Sequence, residues 1–344
     1  MRAAIMYGPH EMGIGEWETP EPGADEVVVA VRAAGVCSGD MAYYGGKFSS
    51  KFAQIEYPRV SGHEIAGVVA SIGERVENVQ VGTPVAVEPV ISCGTCYPCR
   101  IGKTNCCMRM RMIGGNVAGG FAEYVAAPAK NVHPVPAGLS MALAACTEPT
   151  AIAVHACHRG NVAAGEYVLV LGCGPIGLAV IEVARARGAH VVATDLLPER
   201  LQIAEQLGAA TVMGGKDLAQ TILAQTNGEG APVVIEVVGI PPVIEQAFEL
   251  VAPGGRVVIV GAVKDGTTVS SDGRGWTGKE MTVLGSRNSV NCFPETMELL
   301  ASGAVRYPTL AVEYSMWDAP KVLAEMYENP ASTLKAILIP NGNH

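Results

Sequence analysis

The run Tyr167 to Leu171 is apolar throughout and passes without a break into GCGPIG, after which Ile176, Ala179, Val180, Val183 and Ala184 recur at i, i+3, i+4, i+7 and i+8. A strand that is apolar at every position is buried on both faces, and a helix with that spacing hides one stripe. Joined by a glycine turn, the two open a βαβ unit, which commits this part of the chain to a parallel sheet. The pattern recurs downstream. His190 to Thr194 reads as the next strand. Val233 to Val238 reads as another, followed by a helix with Val243, Ala247, Leu250 and Val251 on one face, then by strands at Arg256 to Val260 and Met281 to Leu284. The expected fold class is α/β, with a doubly wound parallel sheet.

The turn has the chemistry of an anion cradle. Gly172 permits the tight reversal, Gly174 lets a diphosphate reach the backbone, and Gly177 lets helix and strand pack closely. Pro175 suits the first helical position, where its missing N–H has no intrahelical partner, and Ile176 follows it. Free N–H groups and the helix dipole favour an anion at this end. Asp195 closes the second strand, eighteen residues past Gly177. A carboxylate there accepts hydrogen bonds from the adenosine ribose hydroxyls and repels a 2′-phosphate, which selects NAD over NADP; the alternative is a helix cap ahead of Leu196. Arg200, about one turn further, flanks the adenine or is simply solvated. The ends of the later strands supply the other coenzyme candidates, Val238, Val260, Ala262, Ser286 and Arg287.

The first 146 or so residues differ in texture. Short runs, Val27 to Val31, Ile65 to Ala70 and Pro84 to Val87, are punctuated by Gly and Pro, as in a strand-rich lobe. A chain of 344 residues exceeds one compact core. The expected division is 1–148 with 289–344 as one domain and 149–288 as the nucleotide-binding domain. A net charge of −9 argues against nucleic acid and anionic membranes as partners. No run reaches the roughly 20 apolar residues of a membrane span, and the opening MRAAIMYGPHEMGIG has no apolar signal core, so a cytoplasmic protein is expected.

Four of the ten cysteines, Cys93, Cys96, Cys99 and Cys107, follow the spacing C-x2-C-x2-C-x7-C. Four thiolates so spaced make a closed tetrahedral set typical of structural zinc, with no position left for chemistry. Cys106 competes with Cys107 for the fourth place. The remaining cysteines are scattered, which fits a reducing compartment better than a disulfide framework. A second set is dispersed: Cys37 after a valine-rich run, His63 and Glu64 in SGHEIAG, and Glu148 in CTEPTAIAVHA. Spacing alone does not unite them. Cys37 reads equally as a small buried hydrophobe, His63 as a hydrogen-bonded core histidine, and Glu148 as a helix N-terminal carboxylate.

Over nearly its whole length the chain resembles the zinc-dependent medium-chain alcohol dehydrogenases. GVCSGD, PRVSGHEIAGVV, CGTCYPCRIGKTNCC, GGFAEYVAAPAKNVHPVP, EPTAIAVHA, VLVLGCGPIG and APGGRVVIVG carry the likeness. Glutamate at 148, where many simple alcohol dehydrogenases have cysteine, is similar to the polyol branch of sorbitol, threonine and butanediol dehydrogenases. The resemblance implies a strand-rich GroES-like catalytic domain and a Rossmann coenzyme domain. It implies two zinc ions per chain, one catalytic and one structural, NAD as coenzyme, and a homodimer or homotetramer. By the same resemblance Cys37 and His63 are ligands of the catalytic zinc, Glu64 and Glu148 are variable carboxylates bound directly or through water, and Asp40 orients His63. The implied reaction is reversible oxidation of a secondary alcohol to a ketone, with zinc as Lewis acid and the nicotinamide as hydride acceptor. A simple alcohol dehydrogenase and a non-catalytic zinc- and nucleotide-binding protein are the alternatives.

The proton path departs from that family. Its C-x-[ST]-D becomes Cys37-Ser38-Gly39-Asp40, and the position five past the cysteine, which can carry a relay histidine, is Ala42. Ser38 is the expected carrier, with a water on Glu148 or Tyr43 as the other routes. Tyr43 matches a substrate-contacting tyrosine of the polyol branch and serves equally as packing. The likeness implies a vicinal diol, sugar alcohol or sugar acid as substrate. Arg287, in GSRNSVNCFPE, is placed to grip a substrate carboxylate, or to pair with the cofactor or an acidic neighbour.

Overall fold

The valine-rich runs of the N-terminal part pair antiparallel, each with a stretch of consecutive buried side chains. In this computed structural model, which describes residues 1–47, 56–330 and 332–340, β1 (Glu26–Gly35) lies beside β2 (Glu64–Ile72), and β2 beside β3 (Pro84–Val87). Strands Ala336–Ile339 and Val312–Ser315 continue the sheet past β1. Val29, Val31, Ile65, Val69, Val85, Val87 and Phe121 share one core, and full burial of such a side chain contributes about 1.5–3 kcal/mol. Gly35 stands opposite Glu64 at the end of the β1–β2 register. Two helices carry site residues from here: α1 (Ser38–Tyr44), directly after β1, and α2 (Thr147–Arg159).

The chain divides into two units. One is Met1–Glu148 with Phe293–Ala301 and Pro308–His344; the other is Pro149–Cys292 with Ser302–Tyr307. The tail was expected to join the first unit from residue 289 onward, but the second unit runs on to Cys292 and also keeps Ser302–Tyr307. Glu182 holds it there: its Oε2 accepts the N–H groups of Arg306 and Tyr307, both at 2.7 Å.

In the second unit, β4 (Tyr167–Leu171), β5 (His190–Asp195), β6 (Ala210–Met213), β7 (Ala231–Glu236), β8 (Val251–Ile259) and β9 (Thr282–Gly285) form a parallel sheet in the order β6-β5-β4-β7-β8-β9. The order reverses between β4 and β7, the place where a doubly wound sheet takes its ligand. Val168, Leu169, Val170 and Leu171 are at most 1% exposed, as a strand covered on both faces requires. α3 (Pro175–Ala186) follows the glycine turn, and α4 (Pro241–Leu250) follows β7. Val251, expected on the face of α4, instead begins β8. Pro253 disfavours helical geometry at the residue before it, and two glycines follow. β6 left no sequence signal: it is a four-residue edge strand without a fully buried position. Among the described residues no helix is long and apolar enough to cross a membrane.

Candidate active site

Where β1 ends, the chain turns into α1 with Cys37 as the N-cap. Its Sγ accepts the N–H of Gly39 at 3.5 Å, and its own N–H donates to Asp40 Oδ2 at 2.9 Å. This reciprocal cap fixes the thiol direction. Asp40 is fully buried. Its Oδ1 accepts the N–H of Gly62 at 3.2 Å and lies 3.8 Å from His63 Nδ1. One carboxylate therefore anchors the backbone at Cys37 and at Gly62, beside His63. Burial raises the Asp40 pKa, against the pull of His63 and the two N–H donors.

Cys37, His63 and Glu64 bring one ligand atom each to within 4.8 Å of one another. Glu64 begins β2 and lies across Gly35, where an added Cβ would fall 1.9 Å from its Oε2. Its partner is Lys335, equally buried, whose Nζ also donates to Val36 O at 3.0 Å. Sequence reasoning missed Lys335, because nothing near it in the chain marks it. Glu148 sits in the first turn of α2 and is 4% exposed. Burial pushes its carboxyl up to about 7, partly offset by His63. Its Oε2 is buried without a hydrogen-bond partner among the described residues. It is not one of the three atoms within 4.8 Å, but its charge acts on His63. Ser38, the first residue of α1, is exposed, with Oγ 3.9 Å from Cys37 Sγ. Tyr43 is buried under the guanidinium of Arg59, 3.9 Å above its ring.

These residues fit a dication. Burial alone would drive the His63 proton off, yet Cys37, then Asp40 and Glu148, raise its pKa well above the ordinary value. These neighbours thus favour a cation in a place where burial opposes one. A cysteine sulfur, an imidazole and a carboxylate suit zinc, and the Asp40 carboxylate stands 3.8 Å from the imidazole Nδ1.

The four-cysteine set also converges. The Sγ atoms of Cys93 and Cys99 are 4.0 Å apart, those of Cys96 and Cys99 3.4 Å, and those of Cys96 and Cys107 3.8 Å. A tetrahedron with zinc–sulfur arms of about 2.3 Å has edges of about 3.8 Å. Cys107 is in the set and Cys106 is not. The N–H of Cys93 donates to Cys107 Sγ at 3.3 Å, that of Met108 to Cys96 Sγ at 3.5 Å, and Arg109 Nη2 to Cys93 Sγ at 3.3 Å. N–H donors from Thr95 and Cys96, assisted by Arg109, bring Cys93 down to about 5.

In the second unit every coenzyme candidate stands at or after the carboxyl end of a parallel strand. Gly172 has φ +106°, which favours glycine. A Cβ on Gly177 would fall 1.9 Å from Gly172 O, whereas one on Gly174 would meet nothing within 4 Å. The turn is thus closed at Gly177 and open at Gly174. α3 begins at Pro175 with Gly174 as N-cap and no side-chain cap bond, which leaves first-turn N–H groups for a ligand. Ile176 is half-buried beside them. Asp195 is not the N-cap of the next helix, a place held by Leu197. Its Oδ2 accepts the N–H of Cys173 at 2.8 Å, its Oδ1 that of Leu197 at 3.0 Å, and Arg200 lies 3.7 Å away. Val238 and Ala262 are exposed and Val260 half-buried on the loops after β7 and β8. After β9, Ser286 donates its N–H to Ile259 O at 2.8 Å and buries an Oγ without a partner among the described residues, while Arg287 is exposed.

Known proteins agree with this arrangement. The alcohol dehydrogenase GroES-like domain family matches residues 23–137, and the zinc-binding dehydrogenase family matches residues 175–302. The L-galactonate-5-dehydrogenase of Escherichia coli is 36% identical over 91% of this chain and 94% of its own length. The sorbitol dehydrogenase of Bacillus subtilis is 31% identical over 99% of this chain and 98% of its own. An alcohol dehydrogenase from Escherichia coli CFT073, solved with NADH, superposes with a TM-score of 0.91 at 32% identity, covering 98% of this chain and 99% of that one. A four-cysteine cluster, a converging cysteine–histidine–glutamate group and a glycine turn on a doubly wound sheet are thus joined to two matching families and to full-length relatives, and the chain belongs to the zinc-dependent medium-chain alcohol dehydrogenases, in their polyol branch.

Proposed function

We propose that this enzyme reversibly oxidises a secondary alcohol of a polyol, vicinal diol or sugar acid to a ketone, with NAD. The observation that carries the reading is the convergence of Cys37, His63 and Glu64, with Glu148 acting on the same imidazole. Relatives named for L-galactonate and sorbitol support the substrate class. Bound zinc supplies a Lewis acid that lowers the pKa of a hydroxyl, and NAD supplies the hydride acceptor. The chain's own residues do the rest. Cys37, His63 and one of Glu64 or Glu148 hold the catalytic zinc; Cys93, Cys96, Cys99 and Cys107 hold the structural one. Asp40 keeps His63 in one tautomer, and Lys335 restrains Glu64. Gly172, Gly174 and Gly177 seat the diphosphate, and Asp195 receives the adenosine ribose.

The proton leaves through Ser38, whose exposed hydroxyl adjoins the Cys37 thiol. Glu148 is the second route, because its unpartnered Oε2 belongs to a carboxyl already pushed up to about 7. Arg287, exposed after β9, supports a sugar acid within the class. The edge strand β9 supports a homodimer or homotetramer joined edge to edge, and cysteines of which four stand at metal spacing and the rest are scattered support a cytoplasmic setting. The deciding experiment is a substrate panel of sorbitol, 2,3-butanediol, threonine, gulonate, galactonate and ethanol, run on wild type, Ser38→Ala and Glu148→Gln. Turnover of a polyol or sugar acid with ethanol inert is expected. Loss of about 100-fold in kcat on removal of the true carrier is the size of a general-base contribution. Ethanol as the best substrate would make it a simple alcohol dehydrogenase. Unchanged kcat in Ser38→Ala would move the proton route to Glu148.

A further inference from the structure

A buried carboxylate stands at the carboxyl end of β7, outside the coenzyme candidates named so far. Glu236 is the last residue of β7 and is 0% exposed. It is registered against Leu171 of β4 and Ile259 of β8, so it lies where the strand order reverses. Its Oε1 accepts the N–H of Val238 at 2.6 Å and that of Gly239 at 2.8 Å. Its main-chain oxygen accepts the N–H groups of Val260 at 2.8 Å and Gly261 at 3.2 Å. Oε2 is buried and has no partner among the described residues.

One residue thereby gathers two loops, the one after β7 and the one after β8. The loops touch backbone to backbone: a Cβ on Gly239 would fall 2.7 Å from Ala262 O, and one on Gly261 would fall 2.1 Å from Gly239 N. The first loop also supports the glycine turn. A Cβ on Gly172 would meet Val238 Cγ2 at 2.6 Å and Val237 Cγ2 at 3.1 Å, and the N–H of Val237 donates to Leu171 O at 3.1 Å. Burial raises the Glu236 pKa, and the N–H groups of Gly239, Val238 and Gly261 work against that rise. A carboxylate so placed, with no cation among these contacts, is costly, and an apolar side chain of the same size fills the space more cheaply. What glutamate adds is a fixed acceptor at the root of two loops.

We propose that Glu236 is a positioning residue for the coenzyme: it locks Val237–Gly239 and Val260–Ala262 in the shape that receives the nicotinamide–ribose half, on the β7 side of the switch point, while Asp195 serves the adenosine half on the β5 side. This rests on the NAD reading above. ADP, which carries only the adenosine–diphosphate half, separates the two.

The test measures NADH and ADP affinity by calorimetry, with melting temperature and amide hydrogen exchange, for wild type, Glu236→Met and Glu236→Gln. Methionine keeps the shape and removes both acceptors; glutamine keeps one. Glu236→Met should weaken NADH by about tenfold or more and leave ADP within about twofold. Glu236→Gln should fall between it and wild type. The Val238 and Gly239 amides should exchange faster in Glu236→Met. NADH affinity equal to wild type in Glu236→Met, or in Glu236→Gln should the methionine variant not fold, would overturn the proposal. So would parallel loss of NADH and ADP with a lowered melting temperature, which marks a merely structural role. Wild type that binds neither nucleotide would overturn the NAD reading itself.

Discussion

Gly39 is the position at which the site departs from its family, and its surroundings say what a side chain would do there. An added Cβ would meet only His63 Cε1 at 3.7 Å and Cys37 Sγ at 3.9 Å, both ordinary contacts. Gly39→Ser is therefore tolerated and sets a hydroxyl beside Cys37 and His63. Its kcat for a simple secondary alcohol such as 2-butanol should rise by about tenfold, the low side of what a positioned proton carrier contributes. Steady-state kinetics at neutral pH check this, and an unchanged kcat would show that proton transfer is not limiting. Asp195 makes a second residue-scale prediction. Both of its oxygens are already held by backbone N–H groups, so its direction is set before coenzyme arrives. Asp195→Ser should raise the NADP/NAD ratio of kcat/KM by about tenfold or more, since a repelled 2′-phosphate is then admitted; an unchanged ratio would remove Asp195 from that role.

At the scale of the element, the four-cysteine loop holds together through sulfur. N–H groups of Cys93, Met108 and Arg109 point at its thiols, so sulfur supplies their acceptors. Cys107→Ser should cost one zinc ion and lower the melting temperature, while Cys106→Ser leaves both unchanged, because Cys106 lies outside the converging set. Metal analysis with calorimetry on both variants decides between them. The spacing of these cysteines and the GCGPIG turn were legible because each feature is local: its ligands or its dihedrals are set within a few residues. The catalytic set was not legible from spacing, since Cys37, His63 and Glu148 come from a helix cap, a strand entry and a distant helix turn. Only the family likeness joined them, and the fold converges Cys37 and His63 with Glu64, leaving Glu148 outside the three. Lys335 was invisible for the same reason, 271 residues beyond its partner Glu64. The edge strand β6 and the start of β8 were missed because short edge strands lack period, and because Val251 fits a helical stripe until Pro253 ends it.

At the scale of the molecule, pH acts through buried groups. His155, on α2, is 7% exposed; burial, with Arg159 and His158 nearby, pushes it down to about 4. The unfolded chain binds a proton there near 6.5, so between those values the unfolded state holds more protons and stability rises with pH. Stability should fall as the pH drops from about 6.5 toward 4, with a shallower slope in His155→Gln; urea melts across that range check the slope. An identical slope would assign the loss to other groups.

The convergence of Cys37, His63 and a carboxylate on one ion is the claim on which the enzyme reading stands, and zinc counting in Cys37→Ser beside wild type tests it most directly. The account predicts two zinc ions per chain in wild type, one for each converging set, and one in the variant, with NADH formation from the preferred polyol lost and the melting temperature little changed. A folded Cys37→Ser enzyme that keeps both ions and its turnover would contradict it.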